Sequence, residues 1–172
     1  VVALGADETR ALLQDVPKRF RTQINDVLLS GLARALQQAT GAAQLRIDLE
    51  GHGREHIADD LDVSRTIGWF TTLFPVALDV SQTTDAIDRL LAVREQLRAI
   101  PQRGMSHGLL RYASPDPSVR ASLAAAAPSQ VLFNYLGRFD AVVADSDVFA
   151  FAKESTGPWR SPRARRTHAL EI

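Results

Sequence analysis

Leu45-Arg46-Ile47-Asp48-Leu49-Glu50-Gly51-His52-Gly53-Arg54-Glu55 (LRIDLEGHGRE, residues 45–55) changes the hydrophobic period of the chain. Leu45, Ile47 and Leu49 alternate with Arg46, Asp48 and Glu50, the period of two that makes one face of a strand apolar and the other polar. Immediately upstream the period is that of a helix. Ile24, Leu28, Leu32, Ala35, Leu36 and Ala39 recur every three or four residues. Thr22 or Asn25 suits the helix start, Asp26 the positive first turn and Gly41 the stop. A helix running into a half-buried strand, with further alternating segments downstream, predicts an α/β or α+β sandwich in which helices pack on a mixed sheet. Glu50 then stands at the lip of the strand on its polar face, beside glycines that carry no side chain.

Working outward, residues 7–15 read as a short helix that stops before Pro17, because proline cannot continue a helical ladder. Thr66 to Val80 (TIGWFTTLFPVALDV) predicts a strand, a bend at Pro75 and a second strand. Asp85 to Ala99 predicts a helix with Ile87, Leu90, Leu91 and Leu97 inward, ending before Pro101. Gly104 and Gly108 around Met105-Ser106-His107 signal a loop, and Ser122 to Ala127 a helical turn or two. Val131 to Leu136 reads as a buried strand broken in character only by Asn134, and Asp147 to Lys153 as another strand. Residues 155–168 (STGPWRSPRARRTH) form a basic, proline-interrupted loop. The chain opens without Met and stops at His168-Ala169-Leu170-Glu171-Ile172, which reads as a strand barely begun, so a fragment of something longer is expected.

Composition narrows the function. The 172 residues carry 20 basic and 20 acidic side chains, so no global field recruits nucleic acid or an anionic membrane. Zero cysteines remove disulfides, thiolate metal sites and a cysteine nucleophile, and fit a reducing, cytoplasmic setting. No apolar run approaches the ~18 residues of a membrane span, and VVALGADETR is not a secretory signal.

Motif chemistry narrows it further. His52-Gly53-Arg54-Glu55-His56 matches an H-x-x-E-H zinc pattern, but that chemistry needs a helix, and two glycines after a strand oppose one. No metal site is expected. The chain has no G-x-S-x-G elbow, no G-x-G-x-x-G and no Walker lysine, and only Lys18 and Lys153 are available for a Schiff base. A general acid–base role for Glu50 remains. Gly51 and Gly53 would let a substrate approach the backbone, and Arg54 would orient the carboxylate or neighbouring groups. The competing reading is a surface ion pair of Glu50 with Arg46 or Arg54. Burying the Asn134 amide among Val131, Leu132, Phe133 and Leu136 costs on the order of 1–3 kcal/mol unless it is hydrogen-bonded. In a regular strand Asn134 and Tyr135 face opposite ways, so both enter one pocket only if the strand ends or bulges there. Arg160, Arg163, Arg165 and Arg166 read as a solvated loop, or as a docking patch for an acidic partner or phosphate.

Five segments in order then carry a resemblance. They are TQINDVLLSGLARAL (22–36), IDLEGHGRE (47–55), RTIGWFTTLFPVALD (65–79), PQRGMSHGLLRY (101–112) and VLFNYLGRFD (131–140). Together they resemble the epimerization domains of nonribosomal peptide synthetases, in the condensation-domain superfamily. The loop motif departs from the family at His107, where tyrosine is usual. The resemblance implies a chloramphenicol-acetyltransferase-like fold of two lobes with a tunnel between them, residues 1–172 being a partial C-terminal lobe. The N-terminal lobe with its HHxxxDG motif lies outside the chain. It implies Glu50 as the acid–base carboxylate, with His52, Arg54, Asn134 and Tyr135 supporting it. The implied substrate is an aminoacyl or peptidyl thioester on the 4'-phosphopantetheine of a peptidyl carrier protein, converted from L to D at Cα with no directly bound cofactor. This fragment alone is expected to be inactive. The rivals are a condensation domain, which forms amide bonds, and a non-catalytic lobe that docks carriers; EGHGRE and FNYLG favour epimerization.

Overall fold

The computed structural model describes residues 2–55, 62–83, 85–137, 152–158 and 160–172. Helix α1 (Ala6–Arg10) runs through a π turn (Ala11–Asp15) into α2 (Val16–Phe20), so helical structure passes the proline instead of stopping short of it. A π turn lifts the local backbone pairing out of the i→i−4 pattern, and Pro17, which has no N–H to give, occupies the first turn of the new segment. Helix α3 (Ile24–Thr40) follows. Its cap is Gln23, whose N–H donates to Asp26 Oδ2 at 2.7 Å, and Gly41 closes it at φ 72°. The buried stripe centres on Leu29 and Ala33, with Leu28, Leu32 and Leu36 beside them; Ala35 and Ala39 are exposed. The predicted stripe is therefore turned by about one residue, which brings Leu29 and Ala33 into one core cluster with Ile47 and Val93.

Strand β1 (Gln44–Gly51) pairs antiparallel with β2 (Thr72–Asp79) and parallel with β3 (Val131–Phe133), which pairs in parallel with β4 (Leu170–Glu171). The sheet order is β2-β1-β3-β4, a mixed sheet. Leu45, Ile47 and Leu49 meet Phe74, Val76, Leu78 and Phe133 on one face, and Leu29, Ala33 and Val93 cover them. Fully burying a side chain such as Leu29 or Ile47 stabilises the fold by roughly 1.5–3 kcal/mol. The opposite face carries Arg46, Asp48 and Glu50, as the alternation predicts.

Several expectations change. Thr66 to Val80 holds one strand, not two with a bend: residues 66–71 are irregular and Pro75 sits inside β2 opposite Asp48. Because β2 is an edge strand, the N–H that proline lacks is no loss to the ladder. Helix α4 (Ala86–Arg98) is capped by Asp85, whose Oδ1 accepts from the N–H groups of Ile87 and Asp88 at 2.7 and 2.9 Å. It buries Arg89, Leu90 and Val93, while Ile87 is exposed. The glycine loop is helical, as a 3-10 turn (Pro101–Gly104), α5 (Met105–Gly108) and a π turn (Leu109–Ala113). His107 is half-buried there, and its Nδ1 has no partner among the described residues. Gly104, at φ +85°, lies where an added Cβ would meet the Phe74 ring at 2.3 Å. Helix α6 (Pro117–Ala125) has Asp116 as its cap. Strand β3 ends at Phe133 rather than at Leu136. The strand expected over 147–153 lies largely outside the described residues, as does the end of the Asn-Tyr segment beyond Gly137. Among the described residues no helix is long and apolar enough to cross a membrane.

Candidate active site at the strand ends

Leu49 of β1 stands opposite Phe133 of β3 in a parallel pair, so the next residues on the two strands are Glu50 and Asn134. They meet. Asn134 Nδ2 donates to Glu50 Oε2 at 2.6 Å, and the Asn134 N–H donates to the Ile172 carbonyl at 2.7 Å. Asn134 is half-buried rather than fully buried as the sequence suggested, and both its side chain and its backbone N–H have partners. Because β3 stops at Phe133, Asn134 and Tyr135 are released from strict alternation, and both line the same cleft. Tyr135 also packs against the core.

The cleft has a volume of about 470 Å³. Leu29, Leu49, Phe74 and Phe133 form its apolar floor, and Glu50, His52, Glu55, Arg103 and Asn134 are among its polar groups. Trp69 and Leu136 stand at its mouth, 89% and 66% exposed. Among the described residues no group of three His, Asp or Glu side chains is placed to hold a metal. His56 lies outside the described residues.

His52 faces Glu55, not Glu50. Its Nδ1 accepts the Arg54 N–H at 3.0 Å and its Nε2 stands 3.0 Å from Glu55 Oε1. An acceptor at Nδ1 puts the proton of the neutral ring on Nε2, directed at the Glu55 carboxylate. Arg103 approaches the same oxygen at 3.8 Å. Arg54 lies behind the wall. Its guanidinium donates to the carbonyls of Val63 and, at 2.8 Å, Thr66, and lies 4.4 Å from the Phe70 ring centroid. It braces the segment carrying Trp69 and touches neither Glu50 nor Asn134.

The glycines also act differently from the expectation. A Cβ on Gly53 would lie 1.5 Å from the Phe70 carbonyl oxygen, and one on Gly51 2.8 Å from Thr72 Oγ1. The space that a Cβ at either glycine would take is filled by the chain's own atoms, while Gly51 still lines the cleft beside Glu50. Sequence reasoning missed Glu55, Arg103 and Trp69 as cleft residues. Glu55 was in view only as part of the zinc pattern and as the last residue of the glutamate motif, and Arg103 comes from a turn whose position depends on the tertiary fold. Of the four loop arginines, Arg160 is committed to Glu171 through contacts of 2.8 and 2.6 Å.

The family model described as the condensation domain matches residues 1–158. A linear gramicidin synthase protein of Brevibacillus parabrevis is 47% identical over 172 residues, all of this chain and 2% of that protein. Chondramide synthase of Chondromyces crocatus is 47% identical over 171 residues, 99% of this chain and 4% of that protein. Among solved structures, the epimerization domain from the third module of tyrocidine synthetase B matches with a TM-score of 0.86 and 35% identity, over 99% of this chain and 37% of that one. The first condensation domain of the calcium-dependent antibiotic synthetase, bound to a substrate analogue, matches with a TM-score of 0.55 at 17% identity over 74% of this chain and 26% of that one, which shows a shared fold. The mixed sheet with its packed helices therefore has the chloramphenicol-acetyltransferase-like fold, and the chain spans a small part of each synthase it matches.

Proposed function

Since the chain belongs to the condensation-domain family of nonribosomal peptide synthetases, we propose that it forms part of the C-terminal lobe of an epimerization domain. The substrate is an aminoacyl or peptidyl thioester on the phosphopantetheine arm of a carrier protein, and the reaction inverts Cα from L to D. The observation that carries this reading is the half-buried Glu50 carboxylate held by Asn134 at the end of β1, in a cleft with an apolar floor.

A thioester carbonyl acidifies the adjacent Cα–H, so a positioned carboxylate removes the proton without a metal or prosthetic group. Asn134 occupies Oε2, which leaves Oε1 as the atom to receive it. The electron pair moves onto the thioester oxygen as an enolate. The second N–H of the Asn134 amide and the Tyr135 hydroxyl are the donors at hand to stabilise that oxygen, as preorganised dipoles do where charge develops. Inversion needs a proton returned to the opposite face of Cα, which falls to a group on the other lobe of the domain.

Replacing Glu50 by Gln in the synthetase that carries this chain keeps the Asn134 contact sterically but removes the base. Wash-in of solvent deuterium at Cα is expected to fall by at least ~10²-fold. Near-normal exchange would end this assignment. The family match also fits a condensation domain, which would instead yield a dipeptide from two loaded carriers and no deuterium at Cα.

A further inference from the structure

On the same strand face, two residues before Glu50, a second polar cluster crosses three strands. Asp48 Oδ1 accepts from Ser129 Oγ at 2.6 Å, and Asp48 Oδ2 faces His168 Nε2 at 2.9 Å. His168 Nδ1 lies 3.1 Å from Thr167 Oγ1. The two partners are buried, Ser129 being 2% and His168 8% exposed, and the Asp48 side chain between them is 16% exposed. Both carboxylate oxygens are therefore occupied, one by the segment entering β3 and one by the segment entering β4.

The strands it joins are too short to fix their own alignment. β3 has 3 residues and β4 has 2. A slip of β3 by one residue against β1 would bring Phe133 or Tyr135 opposite Glu50 and turn alternate side chains to the wrong face. Hydrophobic burial resists such a slip through Phe133 alone, since Val131 and Leu132 are only half-buried. The Asp48 cluster resists it strongly, because only one register satisfies both oxygens. Any other leaves a half-buried carboxylate and a buried imidazole without partners, which is costlier than losing a surface contact. Its effect reaches the site through the backbone. Gln130 O accepts from Ala169 and Leu170 at 2.9 and 3.1 Å, the Ile172 N–H donates to Leu132 O at 3.0 Å, and Ile172 O accepts the Asn134 N–H at 2.7 Å.

We infer that Asp48, Ser129 and His168 are positioning residues for the Glu50–Asn134 pair: they set the β1–β3–β4 register that places the amide on the carboxylate. The inference rests on the function proposed above and assigns these side chains no contact with substrate.

In the intact synthetase, His168→Ala should slow Cα deuterium exchange about ten- to a hundredfold in kcat, the cost of a small misplacement of catalytic groups, with KM for the loaded carrier unchanged. His168→Gln, whose amide nitrogen can take the place of Nε2, should restore most of the rate. Combined with Asn134→Ala, His168→Ala should add little, because both remove the same contact. Ser129→Ala, a smaller change, repeats the comparison if His168→Ala does not fold. Full additivity with Asn134→Ala, wild-type exchange in His168→Ala, or a His168→Gln no better than His168→Ala at equal folded protein would overturn the inference. Glu50→Gln and Asn134→Ala alone separate the two layers. If both retain exchange, the function itself is wrong and the positioning role falls with it; if both slow exchange and His168→Ala slows the residual Asn134→Ala rate in full, only the positioning role fails.

Discussion

Glu50 and Asn134 lie 84 positions apart and meet because two strands end at the same level. Beside them, Gly53 shows what a glycine in such a stretch is for. Its φ is +67°, and a Cβ there would lie 1.5 Å from the Phe70 carbonyl oxygen. Gly53→Ala therefore faces a left-handed backbone penalty of about 1–2 kcal/mol and a clash that only movement of Phe70 relieves. Arg54 ties Val63, Thr66 and Phe70 together, so the movement passes to Trp69 in the cleft wall. The expected outcome is a lower melting temperature together with slower Cα exchange, measured by thermal unfolding and deuterium wash-in on the same preparation. An unchanged melting temperature would show that the Phe70 segment yields freely. The residues gave notice that some atom comes close to this backbone. They did not say whether it belongs to a substrate or to the chain, because a lone glycine records close approach and not its source.

At the level of elements, legibility followed how far each signal is local. Caps and periods placed α3, β1 and α4 within a residue or two, since Asp26, Gly41 and Asp85 act on their own turns. Prolines misled for a different reason. Pro17 and Pro75 forbid one hydrogen bond each, and whether that bond is needed depends on a π turn in one case and an edge position in the other. Strand β4 was too short to show any period, and it is held from outside by Arg160, which clasps Glu171 with contacts of 2.8 and 2.6 Å. That clasp makes the docking of β4 acid-sensitive. The hydrogen bonds from Arg160 hold the Glu171 carboxyl below its ordinary value of 4.5. A carboxylate lowered in the folded state contributes stability that is present above the unfolded value and is lost as pH falls through the folded one. Amide exchange at Ile172, whose N–H bonds to Leu132 O, should accelerate below about pH 4.5 relative to exchange in β1, after correction for intrinsic rates. Glu171→Gln should show that faster exchange already at neutral pH. A pH-independent ratio in the unsubstituted protein would show that the clasp does not hold the strand.

Over the whole molecule, the cleft draws on parts that no single segment announces: Leu29 of α3, Phe74 of β2, Ile100 and Arg103 after α4, and the two strand ends. Asn134 was legible as a polar residue in an apolar run, whereas Glu50 stands where the alternation puts any polar residue and was singled out by its motif and its neighbouring glycines. Glu55 and Arg103 were not, because ordinary charged residues become cleft residues only through packing. The same geometry bears on what the chain does by itself. On the proposed function Glu50 would serve one face of a stereocentre, and inversion would require a proton to arrive from the other. The chain spans 37% of the epimerization domain it matches, and the cleft mouth is open, with Trp69 89% exposed. Offered an L-aminoacyl thioester on a carrier protein, residues 1–172 alone should yield no D-product above the uncatalysed rate, measured by chiral separation after thioester hydrolysis. The same residues within the full domain should yield it, and Glu50→Gln in that full domain should abolish it. D-product from the isolated chain would mean that both proton transfers are made within these 172 residues, and the role of second proton carrier would pass to Glu55, the cleft carboxylate already aligned by His52 and Arg103.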